Sequence, residues 1–303
     1  MPAMPSKLNI GCGENVFDHL QDEGWDGCFS YLSVKTLDGV RVVKRFEVAL
    51  RSVAVAILLA FLALRFAHAA QSISFAAPDG GTVYGDVYQA GVPARAAILL
   101  FHQAGSNRGE YSTIAPRLAA LGYNVLAIDQ RAGGDLWGRR NETVDRRGGE
   151  SASYVEALPD LEGALSFAKN TWPGTRVIIW GSSYSASLVF FLAARHPNSV
   201  IGVLSFSPGE YFPGVSVAQQ AAKVSSPVFI TSAPAPEEIA AARRLAGAVA
   251  GTETTLFIPV HGVHGASTLR EDSNPAGAGQ IWQAVEHFLA KLPDAPRAAT
   301  ATP

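Results

Sequence analysis

Cysteine is almost absent from this chain. There are two, Cys12 and Cys28, and both lie in the leading segment. The remainder can hold no disulfide, no cysteine-ligated metal and no cysteine nucleophile. It tolerates an oxidising compartment without using it. Charge is sparse too: 17% of residues are charged and the net charge is −2. No basic block stands out, which argues against a nucleic-acid partner. The densest basic stretch, Arg139 to Arg147, also holds Glu142 and Asp145 and reads as a solvated loop. No group of residues has metal-ligand spacing, so no metal is implied, and there is no internal repeat. Nor is any apolar run as long as the roughly 20 residues that cross a bilayer.

The longest apolar run is Val53 to Leu64. Lys44, Arg45 and Arg51 precede it, and Ala67-His68-Ala69 follows. A positive segment, a short apolar segment and a small-residue cleavage pattern describe a secretory signal peptide at 43–69. The expectation is an exported protein, periplasmic or secreted, with no stable membrane anchor after cleavage behind Ala69. Residues 1–42 then read as an over-long leader, with synthesis starting near Val42 or Val43. Leu8 to Gly13 resembles the first motif of S-adenosylmethionine-dependent methyltransferases, but such a domain has no room before the signal. Residues 70–294 suffice for one domain with a substantial core. The Ala/Thr/Pro-rich stretch 295–303 reads as a disordered tail.

Ser72–Phe75 and Thr82–Tyr88 read as strands around an Asp79-Gly80-Gly81 hairpin. Strands and helices then alternate: strands at Ala96–Phe101, Asn124–Ile128, Arg176–Trp180, Val200–Phe206, Pro227–Thr231 and Glu253–Pro259; helices at Tyr111–Leu121, Leu158–Thr171, Ser185–Arg195, Pro236–Ala250 and Ile281–Leu292. This predicts an α/β fold, a mostly parallel sheet with helices on both faces. Ligands in such sheets bind beyond the carboxyl ends of the strands. The long segment Asp129–Ser153 is a candidate cover for that cleft, with Asp129 tying down Arg131 or the loop. Asn141-Glu142-Thr143 matches a glycosylation sequon. Trp180, Phe190 and Phe191 read as core.

Residues 176–186 carry the chemistry: Arg-Val-Ile-Ile-Trp-Gly-Ser-Ser-Tyr-Ser-Ala. A strand ends at Gly181, Ser183 follows two residues later, and a helix begins at once. This is the strand–turn–helix context of a nucleophile elbow with Ser183 at its tip. The residues at minus two and plus two must be small because strand and helix backbones come close. Gly181 meets that requirement. The pattern wants glycine at plus two as well, and here it is Ser185.

A serine hydroxyl needs a base within hydrogen-bond reach. Folds built on such an elbow run Ser, acid, His along the chain. His264, just past the last strand, is the candidate base; His261, three residues earlier, is the weaker one. A developing oxyanion needs two N–H donors. Tyr184 N–H would supply one, and Ala104 N–H, in the small-residue loop His102–Ser106, the other.

Three segments carry a family resemblance over most of residues 72–292: His102-Gln103-Ala104-x-Ser106, Ala115 to Arg131, and Gly262 to Gly265. They resemble the α/β-hydrolases of the dienelactone-hydrolase-like group, with a serine in place of that group's cysteine. The resemblance implies the α/β-hydrolase fold and hydrolysis of small-molecule esters or related acyl bonds without a cofactor. It also implies an acid after the penultimate strand. There Ala235 stands where an Asp is expected, which leaves Glu237, or Glu210 one strand earlier. A peptidase or amidase on the same machinery, or a binding protein that has lost activity, are the rival readings. The oligomeric state is left open.

Overall fold

The computed structural model describes residues 70–91, 93–249 and 253–293. The leader and signal peptide expected at 1–69, and the tail at 295–303, lie outside the described residues.

One sheet of eight strands forms the centre among the described residues. The strands are β1 (Gln71–Ala76), β2 (Thr82–Tyr88), β3 (Ala97–Phe101), β4 (Asn124–Asp129), β5 (Val177–Ser182), β6 (Val200–Phe206), β7 (Val228–Thr231) and β8 (Thr254–Phe257). Their order is β1-β2-β4-β3-β5-β6-β7-β8. β1 and β2 pair antiparallel, as do β2 and β4; every later pair is parallel. The helices are α1 (Ile114–Ala120), α2 (Glu142–Arg146), α3 (Leu158–Thr171), α4 (Tyr184–Arg195), α5 (Val217–Ala221), α6 (Pro236–Ala248) and α7 (Ala278–Lys291).

The central strands are mostly apolar, and β3 is apolar at every position, because both faces are covered. In β3, Leu99 and Phe101 join the core formed with Leu161 and Leu165 of α3 and Leu188 of α4. Ile98 and Leu100 join the opposite core, with Ile114 and Leu118 of α1 and Trp282 and Phe288 of α7. Trp180, Phe190 and Phe191 are buried, as expected. The ring of Trp180 stacks on Phe206 at 4.7 Å.

Two segments depart from the sequence expectation. The helix expected from Tyr111 starts only at Ile114; Arg108–Tyr111 is a 3-10 turn instead. Asn107 caps it, its side chain accepting from Gly109 N–H at 2.8 Å. Arg108 is drawn inward to Asp86 and Asp129. Asp129 therefore holds Arg108 rather than Arg131, whose guanidinium goes to Asp160 at 2.7 Å and to Asp79, and it ties down the loop, as expected, by accepting from Glu142 N–H at 2.8 Å. The second segment, 129–153, contains α2 and folds over the loop after β3. Gly134 N–H donates to Ser106 O at 2.7 Å, and the Asn107 amide donates to the carbonyls of Gly134, Leu136 and Arg139. The Asn141 amide of the sequon is fully buried, donates to Gln130 O at 2.9 Å and caps α2, so it is not presented for glycosylation.

Candidate active site

Ser183 sits between β5 and α4 with φ 58° and ψ −122°. A non-glycine residue at positive φ is strained and persists only where its surroundings hold it. Ser183 N–H donates to Phe206 O on β6 at 2.8 Å, which supplies part of that hold. The turn is so tight that a Cβ on Gly181 would stand 2.2 Å from Ser185 O. Only glycine fits at minus two. At plus two the serine has its own work: Ser185 Oγ donates to His102 O at 2.6 Å and accepts from the Gln130 amide at 2.9 Å. It binds the first turn of α4 to the loop after β3.

The structure brings His264 to Ser183 across 81 residues of sequence, with Nε2 2.8 Å from Ser183 Oγ. Its Nδ1 is 2.9 Å from Oε1 of Glu238. Oε2 of Glu238 accepts from Ala233 N–H at 3.1 Å, so this carboxylate is fixed at both ends. The three side chains form one line from hydroxyl to imidazole to carboxylate.

That line puts Glu238 beside His264, where Glu237 or Glu210 was expected. Glu237, the neighbour of Glu238, points to solvent. Successive residues on a helix diverge by about 100°, so only one of two adjacent carboxylates can face the cleft. Glu210 is turned away from His264: it caps α5, accepting from Val217 N–H at 2.6 Å and Ala218 N–H at 3.0 Å. His261 is exposed, and its carbonyl accepts from the Asn274 amide at 3.4 Å. The doublet Glu237-Glu238 was visible in the sequence; the helical phase that selects its second member was not.

The protonation states follow from these contacts. The hydrogen bond to Glu238 raises the pKa of His264 above its ordinary value; burial opposes this and is outweighed. Burial alone would raise Glu238, but hydrogen bonds from His264 and Ser207 hold its carboxyl below the usual range. Ser207, itself at φ 57°, also accepts from Gly265 N–H at 3.0 Å and so joins the acid to the histidine loop.

Past β3, the His102 ring is fully buried. Its Nδ1 donates to Gln103 O at 2.8 Å, and Nε2 accepts from Gln130 N–H at 2.9 Å. Burial depresses its pKa to about 4, so the ring is neutral and fixed as one tautomer. Gln103 N–H donates to Glu110 at 2.9 Å. Among the described residues, the next N–H, that of Ala104, makes no hydrogen bond. Tyr184 N–H opens α4, a position with no intrahelical acceptor, at the positive end of the helix dipole. Among the described residues no group of His, Cys, Asp and Glu could hold a metal ion. Among the same residues no helix is long and apolar enough to cross a membrane.

Comparison with known proteins agrees with this architecture. Residues 92–255 match the model of the family described as serine aminopeptidase, S33. A monoglyceride lipase homologue of Monkeypox virus is 25% identical over 114 residues, 38% of this chain and 38% of that protein. The chain therefore spans about two fifths of that relative. Among solved structures, a dienelactone hydrolase of Anabaena variabilis superposes with a TM-score of 0.59 at 18% identity, covering 75% of this chain and 99% of the other. An esterase of Pyrococcus furiosus gives 0.57 at 15%, covering 74% and 92%. At these identities the two structures bear on the fold alone. The expected α/β-hydrolase fold and the likeness to dienelactone hydrolases are borne out. The matched span exceeds half of the chain, and the chain belongs to the serine aminopeptidase S33 family of α/β-hydrolases.

Proposed function

We propose that this protein is an exported serine hydrolase that cleaves carboxylic esters through an acyl-enzyme. The observation that carries the reading is the unbroken line from Ser183 through His264 to Glu238. Ser183 Oγ attacks the carbonyl carbon while His264 Nε2 takes its proton. The oxyanion is held by Tyr184 and Ala104 N–H. His264 returns the proton to the departing alcohol, and water, activated by the same imidazole, resolves the acyl-enzyme. Glu238 keeps Nδ1 protonated and stabilises the imidazolium. The chemistry needs no cofactor. Export rests on the signal pattern at 43–69.

The family's description supports a second reading, cleavage of a peptide or amide bond by the same groups. Covalent labelling with a fluorophosphonate probe tests the machinery shared by both. The parent should label, and Ser183→Ala and His264→Ala should not. A folded parent that does not label overturns the hydrolase reading and leaves a binding role on this scaffold. Turnover of matched esters and amides then separates esterase from amidase.

A further inference from the structure

A cavity of about 400 Å³ opens between residues 153–155 and residues 211–215. Its walls are Tyr154, Val155, Tyr211, Phe212, Pro213 and Val215. Tyr154, Val155 and Val215 are among the few large apolar side chains that the described residues leave exposed, and all three meet here. Such clustering marks a ligand surface, whereas single exposed apolar residues are ordinary. Two contacts join the cavity to the reacting centre. Tyr154 stacks at 4.6 Å on Tyr184, whose N–H faces the developing oxyanion in the reading above. The Tyr211 hydroxyl, whose pKa burial raises and the Ser183 side chain lowers, donates to Ser207 O at 3.0 Å. Phe212 packs edge-on against Phe191 at 5.5 Å, which makes that wall rigid. The departing alcohol must lie at His264 Nε2 to receive its proton. No wall of the cavity comes from the His264 loop. The space therefore belongs to the acyl side.

We propose that this cavity is an acyl subsite selecting esters of medium-length aliphatic or single-ring aromatic acids. The proposal rests on the hydrolase reading. Two ester series test it: one lengthens the acid from acetate to octanoate on a fixed nitrophenol, the other lengthens the alcohol on a fixed acetate. kcat/KM should rise by about 10-fold or more from acetate to hexanoate in the acid series. The alcohol series should stay flat. Val155→Asp and Val215→Asp place a charge in the wall from exposed positions and should erase the gain. Acetate turnover without a gain on lengthening the acid overturns the subsite, as does a gain confined to the alcohol series. A parent that turns over no ester of either series fails the hydrolase reading first.

Glu110 is fully buried and accepts from donors on two separate loops. Its Oε2 takes Gln103 N–H at 2.9 Å, from the loop after β3. Its Oε1 takes the Ser182 hydroxyl at 2.7 Å, at the end of β5. Ser182 Oγ in turn accepts from Ala266 N–H at 2.8 Å. Gly265, at φ 76°, lies so close that a Cβ there would stand 2.4 Å from Ser182 Oγ. Burial raises the pKa of this carboxyl, and the donors of Gln103, Ser182 and Ser267 oppose that, because donors suit a carboxylate whereas a protonated acid would need an acceptor for its own proton.

We infer that Glu110 is a positioning residue whose carboxylate clamps the loops bearing Ala104, Ser183 and His264 in one geometry. This too rests on the hydrolase reading. Two carboxyl groups raise the pKa of His264: Glu238 from α6 and Glu110 from the turn before α1. Both favour the imidazolium. Glu110→Gln should fold cooperatively and lose about 10- to 100-fold in kcat, with KM little changed. The acid limb of its kcat/KM profile should move to lower pH, because one negative charge has left the imidazole's surroundings. Glu110→Asp keeps the charge and should restore the position of that limb. A folded Glu110→Gln with parental kcat, or with the parental acid limb, overturns the inference. If Glu110→Gln does not fold, Ser182→Ala removes one strut alone, and parental kcat in that variant overturns it. A parent without turnover fails the hydrolase reading before either variant is informative.

Discussion

Ser185 Oγ donates to His102 O at 2.6 Å, so the helix that follows Ser183 is bolted to the loop that follows β3. Where the elbow pattern calls for glycine, this chain has a residue just small enough for the turn and long enough to make that bond.

Replacing Ser185 by alanine leaves buried polar groups on His102 and Gln130 without their partner. Leaving such groups unpaired costs about 1–3 kcal/mol. Ser185→Ala should lower the unfolding free energy by about that amount in denaturant titration, with an unchanged m-value. A parental midpoint would show that the bond is energetically idle.

Three neighbouring substitutions separate the candidate acids. Glu238→Gln should lower kcat by roughly 10²–10⁴, the range for a misoriented catalytic imidazole. Glu237→Gln, altering a solvent-facing side chain, should leave turnover within about twofold. Glu210→Gln weakens the cap of α5 and should show as a loss of about 1 kcal/mol in stability rather than in rate.

The pH profile carries the sign of the Glu238 contact. His264 must be neutral to act as base, and Glu238 raises its pKa above the ordinary 6.5. The acid limb of kcat/KM should therefore lie above pH 6.5 in the parent. In Glu238→Gln the main raising contact is gone, and the limb should move to lower pH while the plateau falls. An unmoved limb would mean that another group sets it.

His102 makes a separate claim on stability. Its pKa falls from the ordinary 6.5 to about 4 because the buried ring cannot accept a charge. Between those values the unfolded chain binds a proton and the folded one does not, so stability rises with pH. The contribution is present above pH 6.5 and is lost as pH falls toward 4, about 3 kcal/mol in all. Equilibrium unfolding of the parent and of His102→Gln across this range should show the difference between them shrinking as pH falls. A constant difference would place the proton elsewhere.

The sequence by itself determined the layered architecture and two of the three aligned side chains. Unbroken apolar strands such as Ala97–Phe101 require cover on both faces. Gly181 and Ser183 lie close in the chain, so local backbone geometry makes their turn readable. His264 is recognisable by its place after the last strand. The tertiary structure alone decided which carboxylate meets the imidazole, because Glu237 and Glu238 differ only in the direction that α6 gives them. It alone turned Ser185 from a departure into a tie. It alone revealed Glu110, which lies just ahead of the helix expected from Tyr111 and belongs to no motif. In each case the partners come from loops far apart in sequence, and no local pattern records a distance that only the folded sheet establishes.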